Sequence, residues 1–437
     1  MENVTKVQDQ NGKSNIAPDS DTAAAEKLNI TLYLASKTIS LLGTNIYSFA
    51  LSLYILKVTG SGTSFALNVL IGMLPKVMLG PFAGILADRV NRKKLTVAFD
   101  IFSSLVLFGL LGLSSLWGLK VALIYVVSFV LSTVSVFYDT ALTSSLPNLV
   151  TDAKLMKINS YTSVSSSLAG ILSPVLAGII YGLVPIRLFL VINGFSFIVS
   201  AAAELFIDFE LNRARSAVSK TAIALDSIRT ELKEVLGFIK NQKVMYSLLK
   251  YMLMINFFLS ASISVVYPYV INKVMRMSPV QFGIFQGFYF AGMIVCSVII
   301  GNIREKDMTV KSLAVNLGAI GVILVFIGAQ TVGFSFFRSE AVLSVYNSLL
   351  LFILGIILIA INTPIMVTIQ RLTPESLRGR LTGILGTLSG GIIPLGIVLA
   401  GLVLDKVHPF LILSVSGGCI IAASAFLFTN KNVKVFG

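Results

Sequence analysis

The sequence predicts an all-α integral membrane protein that crosses the bilayer twelve times, as two related six-helix bundles. Three observations carry this. Of 437 residues, 55% are hydrophobic and 12% are charged, with a mean hydropathy of +0.88, a balance that soluble domains do not hold. The apolar residues fall into twelve runs of roughly the ~20 residues a helix needs to span the hydrocarbon core. The second half of the chain also repeats polar landmarks of the first.

Taken in order, residues 1–27 are polar and rich in Asp, Asn, Ser and Ala. No apolar core follows an early basic stretch, so they read as a disordered tail rather than a signal peptide. The first bundle, 28–207, contains the runs 28–56, 63–87, 95–117, 120–145, 159–183 and 187–207. A linker, 208–243, follows. In it Ile223, Leu225, Ile228, Leu232, Val235, Leu236 and Ile239 recur at helical spacing, with Arg229, Lys233 and Lys240 on the other face. That pattern fits a helix lying on the inner membrane surface, or one packed on the protein's own loops. The second bundle, 244–430, contains 245–271, 279–301, 310–332, 342–368, 379–404 and 409–429, and 431–437 form a closing tail.

Twenty-four Lys and Arg residues fall on the side of the two tails and seven on the opposite side. That imbalance places both termini in the cytoplasm. The net charge of +14 is then a matter of topology and attraction to anionic lipid rather than of nucleic-acid binding. Cys296 and Cys419 lie in apolar runs, and the single histidine, His408, lies in a loop. Neither a disulfide framework nor a metal cluster is expected. No nucleophile–base set is apparent. Asn11-Gly12-Lys13-Ser14 looks like part of a phosphate loop, but Val7 stands where such a loop needs glycine. The expectation is therefore a protein that is no enzyme and takes no cofactor.

The repeat is visible around Asp139-Thr140, which corresponds to Asn362-Thr363, with Asp152 matching Glu375. Ser173-Pro174 and Ala177-Gly178 match Ile393-Pro394 and Ala400-Gly401 with a small shift. Parallel six-span repeats are a common plan of transporters that rock about a central site.

Between runs two and three, residues 84–94 read Gly-Ile-Leu-Ala-Asp-Arg-Val-Asn-Arg-Lys-Lys. This resembles the loop signature of the major facilitator superfamily. Gly84 matches its helix-packing glycine, Asp88 its acidic gate residue, and Arg89, Arg92 and Lys93 its bases. Asn91 stands where a glycine is usual. Within that superfamily, Ile39–Gly43, Lys57–Ser61, Leu74-Pro75 with Gly80–Gly84, and Leu146–Val150 resemble the branch of macrolide efflux proteins and the enterobactin exporter. The resemblance implies the major facilitator fold and proton-coupled export of drugs, siderophores or related amphiphiles. Two departures stand out. Thr44-Asn45 occupy a position where the branch often carries an acid, and the span-four arginine motif of other drug antiporters is absent. Gly170, Pro174 and Gly178 resemble the antiporter glycine-proline motif, with Ser173 and Ala177 replacing two glycines. These residues and Pro394 are expected to let helices bend or approach closely.

Asp88 can pair with a base or accept bonds from a helix N-terminus. Arg89, Arg92, Lys93 and Lys94 are expected to reach the acids Asp139, Asp152 and Glu204 at helix ends, or simply to keep the loop cytoplasmic. Charges inside spans are costly, so Lys37, Asp139, Asp100 and Glu204 are the candidates for coupling transport to protons, with a static Lys37–Asp139 bridge as the alternative. Lys76, Asn45, Tyr47, Asn256, Tyr267, Gln286, Tyr289 and Asn362 are candidates for lining a substrate cavity. Lys37 with Lys76 would suit an anionic lipid, lysolipid or siderophore-like cargo, whereas the branch resemblance points to drug-like amphiphiles. The expected partners are a small-molecule substrate, protons and membrane lipids, with the chain acting as a monomer.

Overall fold

The computed structural model describes residues 20–211, 237–302, 310–333 and 339–429. The described residues form twelve long helices and no strand. In the first half these are α1 (Ser20–Thr59), α2 (Gly62–Arg89), α3 (Arg92–Trp117), α4 (Val121–Ser144), α5 (Asp152–Leu183) and α6 (Ile186–Leu205). In the second half α7 begins as Lys243–Ala261 and runs on through the π turns Ser262–Val266 and Val270–Val274. It is followed by α8 (Pro279–Asn302), α9 (Val310–Ala329), α10 (Glu340–Leu372), α11 (Glu375–Leu404) and α12 (Pro409–Thr429). Eleven of the twelve are long and apolar enough to cross a membrane, while the apolar stretch of α11, Leu388–Leu404, is shorter.

Local signals set several boundaries. Ser61 caps α2 by accepting from Ser64 N, and Asn91 caps α3 by accepting from Lys94 N. Gly60 makes the turn between α1 and α2 at φ +62°, a conformation that side chains resist. Pro268 has no N–H to offer the helix, and α7 is π-wound on both sides of it.

α1 starts at Ser20, inside the stretch expected to be tail. The reason is tertiary. Glu26 is fully buried, its Oε1 accepting from Thr151 N at 2.6 Å and its carboxylate pairing with Lys154 at 2.6 Å. Asn29 Nδ2 donates to Leu149 O and Asp208 O. Residues 1–19 and 430–437 lie outside the described residues, as does the expected amphipathic helix apart from its last turn. There Ile239 is buried, and Phe238 packs with it against the core of the second half.

Each half has a core, and that of the second extends across the seam to Leu53, Leu56, Phe65 and Ala66 of the first. In the first, Tyr47, Leu51, Leu107, Ile124 and Phe197 pack between α1, α3, α4 and α6. In the second, Val265, Tyr267, Phe282, Leu317 and Leu354 do so between α7, α8, α9 and α10. Large exposed apolar side chains such as Leu105, Phe195, Val298 and Leu349 cover the outside, as lipid contact requires.

The end where α1 starts is called the near end, and the opposite end the far end. The halves meet through α2 against α11 and α5 against α8. These contacts lie at the far end and are made by small residues. A Cβ on Gly178 would sit 2.7 Å from Pro279 O, and one on Gly283 would sit 2.7 Å from Val175 O. Gly401 packs directly on Ala66. Toward the near end, Gly80, Gly84, Gly170, Gly390 and Gly391 have no neighbour among the described residues within 4 Å of such an atom. Among the described residues, the halves therefore enclose a cleft that is closed at the far end and open at the near end.

Candidate functional site: the cleft between the halves

Each half contributes a pocket to the cleft, built from equivalent helices. The pocket of the first half is about 140 Å³ and is lined by Thr44, Asn45, Tyr47 and Ser48 of α1, Met73 and Lys76 of α2, and Ser128 and Ser132 of α4. That of the second half is about 220 Å³ and is lined by Asn256, Ser260 and Ser264 along α7, Tyr289 of α8, and Leu358 and Asn362 of α10. Serines and an amide tie the first pocket together. Asn68 Nδ2 donates to Ser52 Oγ at 2.8 Å, and Ser128 Oγ donates to Asn68 Oδ1 at 3.0 Å. Lys76 is exposed at the mouth of this pocket. The arrangement can hold a largely apolar molecule and meet a few polar groups on it.

Of the eight cavity candidates, Lys76, Asn45, Tyr47, Asn256, Tyr289 and Asn362 line these pockets. Tyr267 and Gln286 do not. Tyr267 is fully buried in the second core, its ring 5.8 Å from that of Phe282, and Gln286 is buried in α8. Both were polar positions in a span, which core packing uses as readily as a cavity does.

One ion pair sits on the cleft wall. Lys37 Nζ of α1 lies 2.5 Å from Asp139 Oδ1 of α4 and 3.1 Å from Thr143 Oγ1. The two side chains are unequally exposed, at 4% for Lys37 and 55% for Asp139. Lys37 is thus a buried cation whose only ion-pair partner among the described residues opens onto the cleft. Lys37 thus carries its own counter-charge in Asp139, while Lys76 stands apart at the pocket mouth.

Asp100 and Glu204 are elsewhere, behind α1 inside the first bundle. Both are buried, 1% and 0% exposed. Ser40 Oγ donates to Asp100 Oδ1 at 2.9 Å, and Tyr138 and Thr96 surround Glu204. No Lys or Arg forms an ion pair with either acid among the described residues.

Two bases of the 84–94 segment, Arg92 and Lys93, donate to main-chain carbonyls. Arg92 Nε donates to Ala87 O and Arg92 Nη1 to Ser144 O, while Lys93 Nζ donates to Ile207 O. They bind the near ends of α2, α4 and α6 within one half, where C-terminal carbonyls and the helix dipole favour cations. The side chains of Asp88, Arg89 and Asp152 lie outside the described residues, and Gly84 has no close neighbour among those described. Pro174 and Pro394 lie inside α5 and α11. Gly178 lies at a close approach between the halves, whereas a Cβ on Gly170 would meet nothing within 4 Å among the described residues.

A further contact was not foreseen. Asp405, at the far end of α11, accepts from Ser61 Oγ at 2.6 Å, Gly62 N at 2.7 Å and Thr63 N at 3.1 Å, all at the start of α2. An acid just after a span carries no local signal for a partner more than three hundred residues away.

The model of the Major Facilitator Superfamily matches residues 34–396. The chain belongs to the major facilitator superfamily. It is 22% identical over 399 residues to macrolide efflux protein A of Streptococcus pyogenes, covering 88% of this chain and 92% of that protein. It is 26% identical over 416 residues to the MFS-type transporter YfiS of Bacillus subtilis, covering 91% and 95%. Among solved structures, a bacterial homologue of the iron transporter ferroportin in an inward-facing state superposes with a TM-score of 0.65 at 19% identity, over 92% of this chain and 98% of that one. The nucleoside transporter NupG gives 0.60 at 13% identity, over 91% and 98%. These structures share the fold. The protein is a multi-pass membrane transporter and not an enzyme.

Proposed function

We propose that this transporter exports amphiphilic, drug-like small molecules by alternating access, in exchange for protons. The observation that carries the reading is the cleft. It is sealed at one end by main-chain contacts between the halves and lined by apolar and amide side chains. Its wall holds one ion pair, and the acid of that pair is the exposed partner. The excess of Lys and Arg at the near end supports a cytoplasmic location for it. The cleft then presents a binding chamber to the cell interior. The similarity to macrolide efflux protein A supports a cationic, amphiphilic cargo.

Asp139 gives the exchange a physical basis. A cationic cargo in the cleft, or a proton, competes with Lys37 for the same carboxylate. Either event deprives buried Lys37 of its counter-charge, which is costly in a low-dielectric interior. A conformation that returns a partner to Lys37 is favoured in consequence, so occupancy of Asp139 biases which end is open. An anionic lipid- or siderophore-like cargo would have Lys76 alone as its cation in the first pocket, and that arrangement favours it less.

The test is purified protein in liposomes with an imposed pH gradient. Erythromycin, ethidium and a lysophosphatidylglycerol would be offered in parallel. Gradient-driven movement of erythromycin or ethidium that collapses with an uncoupler supports the reading. Movement of the lysolipid alone would overturn the cargo, and movement indifferent to the gradient would overturn the proton exchange.

A further inference from the structure

We infer that Asp405 is a latch between the halves, holding the far end shut by capping a helix of the opposite half. α2 is 28 residues long and has no acid in its own first turn. Its first N–H groups lack intrahelical partners and carry the positive end of the helix dipole. Asp405 supplies the missing acceptors from the other half. Its Oδ1 takes the Gly62 N–H, and its Oδ2 takes the Thr63 N–H and the Ser61 hydroxyl. Ser61 is fixed in turn, because its Oγ accepts from Ser64 N. Thr63 Oγ1 donates to Gly401 O at 2.7 Å, and Lys273 Nζ of α7 donates to Gly60 O. Every one of these bonds except the Ser64 cap joins the first half to the second.

The packing beneath requires the same closeness. A Cβ on Gly62 would lie 2.5 Å from Leu404 Cδ2. The glycine at the head of α2 therefore lets α11 come near enough for Asp405 to reach two backbone N–H groups. Partial burial of Asp405 opposes its ionisation. The bonds from Ser61, Thr63 and Gly62 outweigh that and hold its carboxyl below the usual range. The charged form is the one that fits. Opening the far end must separate α2 from α11 and return these N–H groups to water, so the latch stabilises the conformation with the near end open.

This inference rests on alternating access but not on cargo, direction or coupling ion, so its test uses no substrate. In a background with Cys296 and Cys419 replaced by Ser, a single reporter cysteine is placed at the far-end seam (Val280→Cys) or on the near-end wall (Leu168→Cys). Maleimide labelling rates are read in nanodiscs, where both faces are reachable. Asp405→Asn is expected to raise far-end labelling and lower near-end labelling, each by roughly tenfold, because an amide N–H then meets donors that Oδ2 accepts from and the charge at the helix N-terminus is lost. Asp405→Glu should recover part of the shift. Unchanged labelling at both sites in a well-folded Asp405→Asn protein would overturn the latch. If Asp405→Asn does not fold, Ser61→Ala with Thr63→Val removes two of the hydroxyl contacts and should shift labelling the same way by about threefold, and no shift there would also overturn it. A failed cargo assay beside a shifted labelling pattern would leave the latch standing and remove only the proposed substrate.

Discussion

In the first half of the molecule Glu26, Lys37, Asp100 and Glu204 are all buried. In the second half the buried polar side chains among the described residues are Ser262, Gln286, Gln330, Asn347, Thr373, Ser416 and Ser424, none of them charged. The two bundles share a plan and equivalent pockets, and Asp139 on one cleft wall corresponds to neutral Asn362 on the other. Where the first half uses ions, the second uses amides: Gln330 and Asn347 bond to each other between α9 and α10 at 2.9 and 3.3 Å. The acids of the second half within the described residues, Glu340, Glu375 and Asp405, stand at the ends of helices. Under the proposed exchange, this division would make the first bundle the one that responds to protons or cationic ligands and the second a wall and seal.

The largest test of this division is Asp139→Asn. It leaves Lys37 buried with its amide and hydroxyl neighbours alone, and transport should fall about thirtyfold, or about 2 kcal/mol, with a flattened pH profile. Asn362→Asp, the mirror change, should alter the rate by less than about threefold. Equal losses in both variants would end the distinction between the halves. Next, Gly178→Leu or Gly283→Leu should cost about 1.5 kcal/mol by overpacking the seam and should favour the state open at the far end, whereas Gly170→Ala should leave thermal stability within about 0.5 kcal/mol. Neutral networks should count alike in both halves. Asn68→Ala and Asn347→Ala are each expected to lower stability by about 1 kcal/mol in detergent unfolding, near the upper part of the range for polar contacts between membrane helices.

The smallest effect concerns pH at the far end. Asp405 is held below the usual carboxylate range by its bonds to the α2 terminus. A group lowered in the latched state contributes fully above the ordinary aspartate value of about 3.9, and loses its contribution as pH falls through the lowered value. Acidifying from pH 6 to pH 3 should therefore raise far-end cysteine labelling by about twofold with His408 replaced by Gln. Lys57, Lys120, Arg187, Lys273, Arg276, Glu340 and Lys406 share this end. The same response in Asp405→Asn would assign it to another group.

Much of the architecture was legible before the structure, because membrane spans are written locally as apolar length. The repeat was legible for a similar reason: Asp139 and Asn362 sit in matching turns of matching helices. Lys37 and Asp139 stood out as paired candidates because lipid tolerates few ions, so those present seek each other. Other features depend on groups that a sequence does not display. Arg92 and Lys93 donate to carbonyls, which every residue carries, so nothing in the sequence marks those contacts. Glu26 looked like part of a polar tail because Lys154 and the Thr151 N–H that bury it arrive from beyond α4. Tyr267 and Gln286 show the converse limit, since a polar residue within a span suits a core or a cavity equally well.

α1 is 40 residues long, roughly 60 Å at 1.5 Å per residue, about twice the hydrocarbon thickness of a bilayer. Its leading turns are riveted to the loops after α4 and α6 by Glu26 and Asn29. It is thus a stiff spar that carries the motion of the first bundle out of the lipid. A tilt of about 10° at the far end would swing a point 30 Å away by roughly 5 Å. Small adjustments among glycines on one side of the membrane are in this way geared up into a wide excursion on the other.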